Sequence, residues 1–97
     1  MEEPQPAKLV LPPVMDIGRA EALHDELLHI KNTERLELNA SDVERITTPC
    51  IQLILSAAHT LESAEGELVI INPSAVMVSA FEDLGLQMER YARKQNA

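Results

Sequence analysis

The sequence has no tryptophan, one phenylalanine and one tyrosine among 97 residues, yet 45% of its side chains are apolar. A core built from it must therefore be almost wholly aliphatic, which suits helices interleaved with buried strands. Cysteine is nearly absent as well, and the lone Cys50 excludes an internal disulfide framework. Glycine occurs three times, at Gly18, Gly66 and Gly85, in no phosphate-cradling pattern, so nucleotide hydrolysis has no support. No apolar run approaches the roughly 18–20 residues of a bilayer-crossing helix, so direct membrane insertion is not expected. The opening residues are acidic where a secretory signal would be basic and then apolar, which makes a cytoplasmic location the expectation.

Positive charge is scarce too. Eight Lys and Arg against sixteen Asp and Glu give a formal charge of −8, which argues against binding a nucleic-acid backbone. Arg90, Arg93 and Lys94 come nearest to a basic cluster, in a position where such residues complement a helix dipole or stay solvated.

Reactive side chains are few and badly spaced for catalysis. His24 and His29 do not share a helical face, so no metal centre is expected. Cys50 falls near a helix start, where dipole and amides can activate a thiol, but His59 lies about 13 Å farther along the same helix, too far to act as its base. Cys50 then reads as a small hydrophobe. The expectation is a non-enzymatic protein with no cofactor.

Along the chain, residues 1–7 read as a lead-in with two prolines, and 8–97 as one domain. Lys8–Leu11 is a strand ended by Pro12 and Pro13. Asp16 caps a helix over roughly Ile17–Ile30, with Ala20, Leu23, Leu27 and Ile30 on its inner face. Asn32-Thr33 breaks that helix. Leu36 and Leu38 alternate with polar residues in a second strand, and a loop from Ser41 to Ile46 follows. Thr48 before Pro49 predicts a helix start with the hydroxyl at N-cap and proline at N1. Ile51, Ile54, Leu55, Ala58 and Leu61 then form a broad apolar stripe, closed by Glu65-Gly66. The run Leu68–Ile71 is a strand covered on both faces. Ser74 caps a third helix bearing Met77, Ala80, Phe81 and Leu84, with Gly85 at C′, and Leu86, Met88 and Tyr91 predict one more helical turn. This order predicts an α/β domain with a mostly parallel sheet of about four strands flanked by three to four helices.

The segment Leu36 to Leu55, centred on Thr47-Thr48-Pro49-Cys50, resembles the strand, loop and helix entry of the STAS family. The resemblance extends over about residues 8–86 and includes Leu68 to Ser74 and Phe81 to Leu86. Family members include bacterial anti-sigma-factor antagonists, chemotaxis-linked regulators and the cytoplasmic accessory of a lipid-transport ATPase. In the family this entry commonly carries a phosphorylatable Ser or Thr at its second position, on which Thr48 falls. Thr47 stands where the family commonly has Asp, Pro49 where it has a small residue, and Cys50 where it has Gly.

The resemblance implies a module that binds a protein partner, either an anti-sigma factor or histidine-kinase-like protein, or a transporter ATPase subunit. Asp42, Glu44, Thr47, Thr48, Pro49 and Cys50 are the expected lining of that interface, and Thr48 is the expected phosphorylation site. A phosphate there would add about −1.5 to −2 charges, with the amides of Cys50 and Ile51 placed to hold it.

Overall fold

Residues 7–28 and 35–93 are described by the computed structural model. The rest of the lead-in, His29, Ile30, the Asn32-Thr33 break and Lys94 lie outside the described residues. The alternating pattern after residue 6 forms β1 (Ala7–Val10), and Pro12 and Pro13 separate it from a two-residue strand, β2 (Val14–Met15). Then follow α1 (Ile17–Leu28), β3 (Arg35–Asn39), β4 (Arg45–Ile46) and α2 (Thr48–Ser63). The chain continues through β5 (Glu67–Ile71), α3 (Ala75–Asp83), a 3-10 turn (Met88–Arg90) and β6 (Ala92–Arg93).

The principal sheet has four strands in the order β1-β3-β5-β6, and every pairing in it is parallel. Its register puts Leu9 beside Leu38 and Leu38 beside Ile70. Leu36, Leu38, Leu68 and Ile70 thereby share one face, and they join Leu23, Ile51, Ile54, Met77 and Phe81 in one aliphatic core. Val69 and Ile71 are buried as well, so β5 is covered on both faces, as its unbroken apolar run requires. The expected turn after Gly85 is the 3-10 turn, and it leads into the fourth strand, which sequence patterning misses. Also unforeseen is a second sheet, in which β2 and β4 pair in parallel inside what reads as loop. Two-residue strands are too short to show an alternation, so periodicity gives no sign of them.

Helix ends follow local chemistry. The Asp16 carboxylate accepts a hydrogen bond from Arg19 N at 3.0 Å, and the Ser74 hydroxyl accepts one from Met77 N at 3.1 Å. At the close of α3, Gly85 has φ +76°, and the amides of Gly85 and Leu86 donate to Glu82 O and Phe81 O. The same double closure ends α2: Glu65 N donates to Glu62 O at 3.1 Å and Gly66 N to Leu61 O at 2.7 Å. Here the left-handed position falls on Glu65, φ 65°, rather than on the neighbouring glycine.

A Cβ in that conformation costs roughly 1–2 kcal/mol, and the Glu65 side chain is exposed. Glu65→Gly is therefore expected to raise stability by about 0.5–1 kcal/mol and the thermal midpoint by about 2–8 °C. A lowered midpoint by calorimetry would show that the side chain matters more than the backbone strain.

Parallel strands need crossovers, so each helix begins at the edge of the sheet where its preceding strand ends. The starts of α1, α2 and α3 therefore gather at the carboxyl edge of the sheet, the side on which open α/β folds commonly build sites.

Candidate functional site

The small β2–β4 sheet brings the starts of α1 and α2 together. Met15 pairs with Ile46, and each strand runs within two residues into its helix. Pro13 O ties the ribbon down by accepting from Glu44 N at 2.7 Å and Arg45 N at 3.0 Å. Met15 O accepts twice from Thr47, from its amide at 3.0 Å and its hydroxyl at 3.2 Å.

This wiring corrects the expected helix entry. Thr47, in extended conformation, is the N-cap residue of α2; its hydroxyl makes no capping bond because it is turned to β2. Thr48 is the first helical residue, with Pro49 next, and both are exposed. A second correction concerns the amides. Cys50 N donates to Thr47 O at 3.1 Å and Ile51 N donates to the same carbonyl at 3.2 Å. Pro49 has no N–H, so the helix entry offers an anion fewer donors than the residue types suggest.

Cys50 does not line the surface. It is 0% exposed, with Sγ 3.3 Å from Met15 O and 3.4 Å from Asp16 O, and it accepts from the Thr47 hydroxyl at 3.6 Å. None of these neighbours is a base, and His59 is exposed well along α2. The thiol braces the β2–α1 connection from beneath. A signal for this was present, since Cys50 lies four residues before buried Ile54, in line with the stripe.

Asp42 and Glu44 are exposed on the loop before β4, held by buried Val43 between them. The loop is anchored to the carboxyl edge of the sheet: Ala40 N donates to Ile71 O, and Ala40 O accepts from Ser74 N. Asp42, Glu44, Thr48 and Pro49 are each exposed, Thr47 is partly covered and Cys50 is buried.

Pattern reasoning missed the neighbour of this region, a groove between α1 and α2. Its outer reach, of about 590 Å³, is lined by Ile17, Ala20, Glu21, Asp25, Pro49 and Gln52 among others. A deeper recess of about 190 Å³ continues past Leu53 to Leu27, Ala57 and Leu61. Ile17 is 69% exposed although it is a large aliphatic residue. Among the described residues no helix is long and apolar enough to cross a membrane, and no group of three His, Cys, Asp or Glu side chains is placed to hold a metal ion.

Comparison with known proteins gives two findings. The family model described as "Mlab, STAS domain" matches residues 2–88. Among solved structures, the anti-sigma factor antagonist SpoIIAA in its unphosphorylated form superposes with a TM-score of 0.80 at 15% identity, covering 99% of this chain and 84% of that one. The Bacillus cell fate determinant SpoIIAA in its phosphorylated form gives 0.78 at 16% identity, covering 99% and 87%. At these identities the likeness shows the fold. No curated protein sequence matches the chain.

Proposed function

The chain belongs to the STAS domain family, and on that footing we propose that it is a non-enzymatic, cytoplasmic module of bacterial signalling that binds a regulatory protein partner. Its docking surface is the carboxyl edge of the sheet, with Thr48 at the centre and Asp42, Glu44, Thr47 and Pro49 around it. One observation carries this reading: Thr48 is exposed on the first turn of a helix whose entry is tied to β2 by the side chains of Thr47 and Cys50, both bonded to Met15 O. A rigidly held, reachable hydroxyl next to exposed Pro49 suits recognition by another protein and modification by a kinase. Phosphate at Thr48 would place its charge on that contact surface without unfolding the domain. The SpoIIAA-like fold supports an anti-sigma factor or histidine-kinase-like protein as that partner.

A second reading has its own support. Pro49 and the engaged amides of Cys50 and Ile51 give a phosphate little to bind, and the matching family model bears the Mlab description. On this reading the chain is a constitutive accessory that stabilises a lipid-transport ATPase or another complex without phosphorylation.

Both readings predict contact at Thr48. With a benzophenone amino acid at position 48, photolysis in source cells is expected to yield a cross-linked heteromer, while the same probe at exposed Ser79 on α3 yields none. Mass spectrometry of that adduct separates the readings: a kinase-like or anti-sigma protein favours signalling, and an ATPase subunit favours the accessory. Adducts from Ser79 and none from position 48 would move the docking surface elsewhere.

A further inference from the structure

We propose that the groove between α1 and α2 seats an amphipathic helix of the protein partner, its apolar face down and its Lys or Arg side chains against α1. This rests on the docking surface argued above and names the chemistry of what occupies its flank. The groove exists because the β2–β4 ribbon starts both helices side by side while small side chains, Ala20 on α1 and Ala57 on α2, form part of the lining between them. At the open end Ile17 and Pro49 are exposed, and Leu53 is half-buried between outer reach and recess. An aliphatic floor with an exposed Ile at its mouth is a surface that gains from being covered.

Charge selects the occupant. The titratable side chains lining the outer reach are the acidic Glu21 and Asp25 together with His24, and neither Lys nor Arg lines it. The whole chain, at −8, adds a field of the same sign. Basic flanks are attracted to this wall and acidic flanks are repelled, which sets specificity and association rate. Length selects the shape: α1 runs for 12 residues, or about 18 Å, enough for roughly three turns of a second helix with anchors at i, i+3 or i+4, and i+7.

The test uses two synthetic helical peptides of about 14 residues with the same leucine face, one flanked by Lys and the other by Glu, titrated into the full chain labelled with 15N. The Lys-flanked peptide is expected to shift the amides of Ile17, Glu21, Gln52 and Leu53. The Glu-flanked peptide is expected to bind at least about tenfold more weakly, a gap that narrows as salt rises. Glu21→Lys should erase the preference, and Gln52→Trp, at an exposed wall position, should block both peptides with an unchanged melting curve.

Equal binding of the two peptides, shifts confined to another surface, or a groove already protected by a second copy of the chain would overturn the proposal. Ser79→Trp, at an exposed position of α3 outside the groove lining, is expected to bind the peptide normally. Cross-linking at position 48 with no peptide binding therefore defeats the groove alone, and peptide binding with no cross-link at 48 defeats the docking surface alone.

Discussion

Phe81→Ala is expected to lower stability by about 3–5 kcal/mol, the largest loss from any single truncation in this core. Phe81 is the sole phenylalanine of the chain and is 0% exposed. It carries the inner face of α3 into the aliphatic cluster and meets the Tyr91 ring edge-on at 6.2 Å between centroids. Both contacts vanish in the alanine variant, and a core already packed with fixed branched side chains closes the resulting cavity only in part. A domain of this size typically holds about 5–15 kcal/mol in total, so the loss takes from about a fifth of it to all of it. The midpoint should fall by roughly 4–8 °C for each kcal/mol lost, with Phe81→Leu retaining most of the stability. Urea unfolding with an unchanged m-value measures it. A loss below about 1 kcal/mol would mean that α3 is not fastened to the core through this ring.

The contrast between Phe81 and the helix entry shows where sequence patterning works in this chain. Apolar spacing located α2 and α3 because burial of a stripe is a property of neighbouring residues, readable three and four positions at a time. Asp16, Ser74 and Gly85 were legible for the same reason: each satisfies backbone groups within three or four residues of itself. The two-residue strands were not legible, because β2 pairs with a segment thirty residues away and its side chains hold no pattern.

Thr47 and Thr48 illustrate the same limit at the candidate site. Either threonine before Pro49 could cap a helix, and the tie is broken by Met15 O, a long-range acceptor that draws the Thr47 hydroxyl and amide toward β2. Cys50 follows from that choice, since the thiol packs under the same connection. The groove was hidden because it depends on how far apart two helices stand. No single helical pattern encodes that distance.

Thr48→Trp is expected to cut partner affinity about 30-fold or more, on the order of 2 kcal/mol, while leaving the unfolding free energy within about 0.5 kcal/mol of the parent. The separation follows from the corrected helix entry. Had Thr48 been the cap, every substitution there would mix a stability cost of about 1 kcal/mol with any effect on binding. Thr47 holds that position, Thr48 is exposed, and no packing or capping bond is lost when it changes. A bulky indole at the centre of the docking surface then acts only on what docks. Thr48→Ala and Thr48→Glu divide the remaining readings against the cross-linked partner. A phosphate switch predicts that alanine binds like the parent and glutamate binds at least about tenfold differently, because the negative charge stands in for part of the phosphate. A constitutive accessory predicts near-equal affinity for both. Parent-like binding by Thr48→Trp itself, measured by calorimetry on the folded variant, would remove Thr48 from the interface in either case.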